Sequence, residues 1–275
     1  MTKKRVAPPQ WREHIDNWID SLKAGGRSDG TLRTRRYKMT HISCLIGGSP
    51  LKVTHGEIVA VFASQSWKPE TRKGYRNTIT SFFGWMQASG LRDDDPSDGI
   101  PRAKRPKPHP RPCPDRVILE ALGKATSKER IMLRLGAECG LRRAEIGSVS
   151  SNDVMDDLLG KSLVVNGKGD KQRIVPLPDD LAADIEQANG YVFPGRWSGH
   201  VEASYIGKHV SRLLGDGWTA HSLRYRYATT TWQATHDLLL VSTLLGHSSV
   251  ETTQIYVAMP DDRLRAAMDA VALQA

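Results

Sequence analysis

Tyr256 stands nine positions after His247 in the run Leu244-Leu245-Gly246-His247 to Gln254-Ile255-Tyr256. Upstream lie His221-Ser222-Leu223-Arg224 and Gly140-Leu141-Arg142-Arg143-Ala144-Glu145. These side chains are the parts for attacking a phosphodiester without a metal. The non-bridging oxygens gain charge and need fixed cations, the nucleophile must lose a proton, and the leaving 5′-oxygen must gain one. Arg142 and Arg224 supply planar forks of donors that match phosphate oxygens. Gly140 lets the backbone turn tightly beside Arg142, with Arg143 as the rival for its role. His221 and Arg224, three apart, share one helix face near its positive end. An imidazole there exchanges protons near neutral pH. Tyr256 is the candidate nucleophile. A phenol of pKa about 10 costs about 4 kcal/mol to ionise at neutral pH, which nearby cations and a base offset. Tyr225 and Tyr227 compete for that role but read as packing residues.

Two β-rich runs, Ser162–Val165 and Gln172–Val175, flank Gly167-Lys168-Gly169-Asp170, whose turn chemistry predicts a hairpin. Lys168 at its tip is a flexible ammonium able to reach a leaving oxygen, with Lys171 as its rival. No Walker pattern follows, which argues against a nucleotide triphosphatase. Ser248-Ser249-Val250-Glu251 resembles a capping box opening the helix that carries Tyr256, and His247 stands just before it. Each of these motifs alone is also a common surface or core arrangement. The set is not.

In order and spacing the motifs resemble the tyrosine recombinase, or phage integrase, family, in a compact form without an arm-binding domain. The resemblance implies that Arg142, Arg224 and His247 hold the scissile phosphate and that Glu145 supports the site. It implies Lys168 as general acid toward the 5′-oxygen, His221 as acid/base, and Tyr256 as the nucleophile that forms a 3′-phosphotyrosine. One departure is Tyr225, where the family commonly has histidine. The implied enzyme is a site-specific recombinase, read as a phage or mobile-element integrase, working without metal, ATP or cofactor. Its implied partners are double-stranded DNA attachment sites, a homotetramer at synapsis and an accessory directionality factor. The stripe Leu264, Ala267, Met268 and Val271 resembles a terminal helix that docks on a neighbouring protomer or on its own domain. The alternatives are Xer-type dimer resolution, topoisomerase-like relaxation, and a non-catalytic DNA-binding protein with a helix-turn-helix around Gly246.

The charge distribution agrees with a polyanionic partner. Residues 1–112 hold 21 Lys and Arg against 10 Asp and Glu, whereas residues 113–275 hold 18 against 20. The excess of the first half suits a broad grip on DNA. Arg33, Arg35, Arg36, Lys38, Arg72, Lys73 and Arg76 fall on two expected helices of that half, where phosphate contacts would need them. Three widely spaced cysteines, Cys44, Cys113 and Cys139, read as reduced thiols and fit no metal pattern. No signal peptide and no apolar run of membrane-spanning length is present, so a cytoplasmic chain is expected, and the family resemblance implies a bacterial host.

The elements that must position these residues are mostly helical. Trp11, Ile15, Trp18, Ile19 and Leu22 recur at helical spacing before Gly25-Gly26. Further helices are expected over Asp29–Leu45, Thr54–Ser64 and from Pro69 to Gly90, forming a DNA-binding domain over residues 1–100 like the family's core-binding domain. Residues 101–114 carry six prolines and five positive residues, among them Arg102, Lys104, Arg105 and Lys107. They read as a stiff basic connector that could strap across a DNA backbone. Residues 115–275 form the expected catalytic domain. Its helices are predicted at 117–122, 129–139, 179–187, 202–214, 221–233, 236–245, 249–257 and 261–272, with a loop after Glu145. The fold class is mainly α with one small antiparallel β-sheet: a helical core-binding domain followed by an α+β catalytic domain.

Overall fold

A computed structural model describes residues 5–102, 110–167 and 172–246. The chain divides into two compact units, Met1–Lys107 and Pro108–Ala275. The expected helices at 249–257 and 261–272 lie outside the described residues.

The first unit holds four helices, α1 (Pro9–Ala24), α2 (Asp29–Ile46), α3 (His55–Ser64) and α4 (Pro69–Ala88). Proline opens α1 and α4, where its fixed φ suits the first turn and its missing N–H is not needed. Thr54 and Glu57 form a reciprocal capping box that starts α3. Trp11, Trp18, Phe82 and Phe83 are fully buried, so these aromatics are core, as their helical spacing predicts. The Trp11 ring stacks on Phe82 at 5.8 Å, and its Nε1 donates to the carbonyls of Gly47 at 3.0 Å and Gly48 at 3.1 Å. Burying each phenylalanine contributes about 1.5–3 kcal/mol.

The second unit runs α5 (Asp115–Lys124), α6 (Ser127–Ala137), α7 (Arg143–Gly147), a 3-10 turn (Ser151–Asp153), β1 (Val154–Asp157), β2 (Gly160–Asn166) and β3 (Gln172–Leu177). It continues with α8 (Asp179–Glu186), β4 (Pro194–Gly195), β5 (Gly199–His200), α9 (Ala203–Leu214), α10 (Ala220–Thr235) and α11 (Leu238–Leu245). The antiparallel sheet has the order β1-β2-β3, with Val154 opposite Leu163 and Val165 opposite Arg173. Leu163, Val165, Val175 and Leu177 face the core beside Leu133, Leu135, Ile146, Leu181, Ile185, Ile206 and Leu223. The loop expected after Glu145 instead holds α7, the 3-10 turn and β1. Val154-Met155-Asp156-Asp157 has little strand propensity of its own, and its pairing with β2 makes it a strand. The β4–β5 ribbon was likewise not signalled. Among the described residues no helix is long and apolar enough to cross a membrane.

Candidate active site

The chain reaches the site at Gly140, whose φ of 64° lies in the left-handed region. Two residues on, Arg142 is the N-cap of α7, and Glu145 sits in the first turn. Glu145 Oε2 accepts from the Arg142 backbone N–H at 2.8 Å, and Oε1 accepts from Arg142 Nη1 at 2.7 Å. The residue expected to support the site is therefore the one that aims Arg142.

Glu145 does more. Its side chain is 5% exposed and takes a two-pronged contact from Arg173 of β3, with Nη1 on Oε1 at 3.1 Å and Nη2 on Oε2 at 2.7 Å. Arg224 of α10 lies 4.0 Å from Oε2. One carboxylate is thus shared by three guanidiniums from three elements. Burial pushes the Glu145 carboxyl up, but the hydrogen bonds and charge of Arg173 and the bonds from Arg142 outweigh it and hold the pKa below the usual value.

The same three arginines meet the end of α11. Arg173 Nε donates to the Leu244 carbonyl at 2.8 Å, Arg224 Nη2 to Leu245 at 2.6 Å, and Arg142 Nη2 to Gly246 at 3.4 Å. A helix C-terminus leaves its last carbonyls unpaired and carries partial negative charge, so guanidiniums are well suited to it. Gly246 closes α11 with φ 62°.

His221 and Arg224 lie on one face of the first turns of α10, as their spacing predicts. They line a cleft of about 580 Å³ with Arg142, Arg143 and the α9 side chains Ser204, Lys208 and Ser211. Arg142 is 40% exposed there, while Arg224, 1% exposed, forms the floor. Partial burial and the charges of Arg224, Arg142 and Arg143 push the His221 pKa below the ordinary histidine value. Tyr225 packs edge-on against His221 at 4.6 Å between ring centroids. Tyr227 packs on Gly140. The cleft is a positively charged pocket with one titratable imidazole at its rim, able to bind an anion and move a proton beside it. Lys168, Lys171, His247 and Tyr256 lie outside the described residues. So do Lys104, Arg105 and Lys107.

Among the described residues no cluster of three His, Cys, Asp or Glu could hold a metal ion. The DNA-binding candidates of the first unit are placed variously. Arg33 and Arg102 are exposed, Arg36 is exposed and pairs with Asp16, and Lys73 is 3.7 Å from Glu70. Arg35 donates to the Asn77 carbonyl, and Lys38 lies over the Tyr75 ring at 5.6 Å. Arg72 donates to the carbonyls of Phe62 at 2.7 Å and Gln65 at 2.9 Å, and Arg76 to Ile100 at 2.8 Å. These last two brace the unit internally, a use the spacing does not reveal.

Residues 116–263 match the profile that describes the phage integrase family, more than half of the chain. The chain belongs to the phage integrase family. The recombinase is similar to tyrosine recombinase XerD of Proteus mirabilis, 29% identical over 91% of this chain and 90% of that protein. It is also similar to tyrosine recombinase XerC of Chromobacterium violaceum, 27% identical over 94% and 93% of the two chains. It shares the enzyme class expected from its motifs, site-specific cutting and rejoining of DNA. Its fold matches the lambda integrase (75–356) dimer bound to a COC′ core site with a TM-score of 0.74, at 19% identity and over 90% and 94% of the chains. It matches XerH recombinase bound to a palindromic difH substrate with a TM-score of 0.70, at 20% identity and over 98% and 90%. The mainly helical class with its small antiparallel sheet is therefore that of the family.

Arg173 was not among the residues expected at the site. A signal for it exists: it is in phase with Val175 and Leu177, so strand alternation puts a guanidinium on the buried face of β3.

Proposed function

We propose that Tyr256 attacks a DNA phosphodiester held by Arg142, Arg224 and His247, with Lys168 as general acid and His221 as acid/base. The observation that carries this reading is the Glu145 node: one buried carboxylate holds Arg142 of α7 and lies 4.0 Å from Arg224 of α10, and both arginines line a single cleft. The cations outnumber that carboxylate, so the cleft keeps a surplus of positive charge matched to one phosphate. Arg142 is open to the incoming phosphate. Arg224 reaches it when the Leu245 carbonyl gives way.

The phenolate oxygen bonds to phosphorus as the bond to the 5′-oxygen breaks, and that oxygen takes a proton from Lys168. The products are a 3′-phosphotyrosine and a 5′-hydroxyl. Attack by the 5′-hydroxyl of another strand reverses the step and frees Tyr256, so the bond energy is kept and no ATP is needed. Double-stranded DNA is the partner, gripped by the basic first half. A homotetramer forms the synapse; the solved lambda integrase tetramer bound to a Holliday junction supports that assembly.

The proposed use of this chemistry is integration of phage or mobile-element DNA in a bacterial cytoplasm, with an accessory factor setting direction. A second reading, Xer-type dimer resolution, is favoured by XerC and XerD relatives that match along about nine-tenths of both chains. Covalent capture tests the chemistry: the protein is incubated with a pool of random-sequence duplexes, and detergent-resistant adducts are recovered. Wild type is expected to capture a defined site through its 3′-phosphate and Tyr256→Phe to bind that site without an adduct. An adduct with Tyr256→Phe would remove Tyr256 from the role. Joining of two unlike captured sites supports integration, whereas exclusive exchange between identical sites on one circle supports resolution.

A further inference from the structure

Arg173 is 7% exposed, and its guanidinium is occupied inside the protein. Both Nη atoms point at Glu145, and Nε points at the Leu244 carbonyl. Its stem lies flat on Gly246, where an added β-carbon would come within 2.9 Å of Arg173 Cδ. It does not line the cleft that holds Arg142, His221 and Arg224. Its partners bear on residues that do: Glu145 accepts from Arg142, and the carbonyls of Leu245 and Gly246, next to its partner Leu244, accept from Arg224 and Arg142.

We propose that Arg173 is a positioning residue for strand cleavage, acting through Glu145 on the phosphate-binding arginines and through Leu244 on the exit of α11. The physical reason is competition. With Arg173 present, Glu145 divides its hydrogen bonds between Arg173 and Arg142 and its charge among three guanidiniums, and Arg142 keeps donors for a phosphate. Without Arg173, the buried carboxylate turns fully to Arg142 and Arg224 and competes with the phosphate for both. Lysine cannot replace it, because one ammonium cannot hold both carboxylate oxygens and a carbonyl from the required directions. The same loss frees the end of α11 from β3.

The proposal rests on the assignment of Arg142 and Arg224 to the phosphate, so its test starts from a duplex that wild type captures through Tyr256. Failure of that capture sinks the assignment before Arg173 is varied. Single-turnover cleavage and duplex affinity are then measured for Arg173→Met and Arg173→Lys in the full chain. Cleavage is expected to slow about 100-fold, the scale of a misplaced catalytic group, with duplex affinity, which the basic first unit would dominate, falling far less. Arg173→Lys, which keeps charge and stem, carries the test if Arg173→Met fails to fold.

Two comparisons separate positioning from general damage. Glu145→Gln added to Arg173→Met is expected to slow cleavage no further than the slower single variant, as residues acting as one unit behave. With a 5′-bridging phosphorothiolate, whose sulfur leaves without a strong acid, Lys168→Ala is expected to recover while Arg173→Met stays slow. Unchanged cleavage in both Arg173 variants, additive losses with Glu145→Gln, or recovery of Arg173→Met on the thiolate would each overturn the proposal. The last result would place the action of Arg173 in the lysine hairpin. If Lys168→Ala does not recover, the general-acid assignment fails, and the cycle with Glu145 alone decides Arg173.

Discussion

The ring of Tyr227 fills the space where a β-carbon on Gly140 would stand, with Cδ1 only 2.4 Å from that position. Gly140 also has φ 64°, and its carbonyl accepts from Arg224 Nη1. The turn, the ring and the guanidinium therefore form one packed unit. Gly140→Ala is expected to destabilise the catalytic unit by about 1–3 kcal/mol, from backbone strain and overpacking together. Cleavage should fall more than stability implies, because Arg224 is tied to the displaced carbonyl. A thermal melt and a single-turnover assay at a temperature where the variant stays folded check this; wild-type cleavage in a folded variant would uncouple the turn from the site.

His221 is held below the ordinary histidine value by partial burial and by Arg224, Arg142 and Arg143. A phosphate entering the cleft brings negative charge beside the ring and pushes the pKa back up. Binding of the captured duplex should therefore take up protons when the pH is at or somewhat below that ordinary value. Calorimetry in two buffers of different ionisation heat reads the uptake directly, and His221→Gln should abolish it. The stability sign is separate. Unfolded histidine binds a proton where the folded ring does not, so the catalytic unit loses stability as pH falls below the ordinary value.

Glu129, whose side chain is 8% exposed, accepts from His209 Nδ1 at 2.7 Å, from Arg212, and from the Thr126 backbone N–H at 3.1 Å. The His209 hydrogen bond, against the opposing effect of burial, and then the Thr126 and Arg212 contacts bring its pKa down to about 2. A depressed carboxylate stabilises the fold above its unfolded pKa of about 4.3 and loses that contribution as pH falls toward the folded value. Glu129→Gln should cost about 1–2 kcal/mol at neutral pH, the range for a lost cap and weakened buried hydrogen bonds. The gap from wild type should narrow below pH about 4. A gap that is constant with pH would show that shape rather than charge matters there.

The first unit is expected to bind duplex DNA by itself. A fragment of residues 1–107 should lose affinity steeply as salt rises, with a log–log slope beyond about −3, since each neutralised phosphate contributes about −0.9. Fragment 108–275, whose acids offset its bases, should bind more weakly. A salt-insensitive first unit in a filter-binding titration would put the DNA grip elsewhere.

Helical periodicity located α1 to α4 within a few residues, because each buries one apolar stripe and ends at a cap, Gly or Pro. That His221 and Arg224 share a face was legible because residues three apart stay on one side of a helix; that Arg142 lines the same cleft follows from tertiary packing, and only the family resemblance had set it beside them. β1 and the β4–β5 ribbon were not, since short strands take their stability from the partner strand and not from their own residues. Arg173 was missed for a different reason. Its partners, Glu145 and Leu244, lie 28 and 71 positions away, so only its odd place on a buried strand face could have marked it. The internal bonds of Arg72 and Arg76 show the converse: basic residues on a helix announce charge, not where that charge is directed.

The convergence of Arg142, Arg173 and Arg224 on Glu145 and on the end of α11 also sets when in the life of the chain the cleft can exist. A ribosome delivers residues in order, and the pieces span positions 142 to 246. At about 5–20 residues per second, Glu145 waits on the order of 10 s for the carbonyls of Leu244 to Gly246 to be made. Until then, Arg224 and the α11 carbonyl that it holds are not both in place. A nascent chain that stops short of Gly246 carries the basic first half but lacks the carbonyls on which Arg142, Arg173 and Arg224 converge. On the proposed assignment of Arg142 and Arg224, competence to cut DNA cannot precede the synthesis of Gly246.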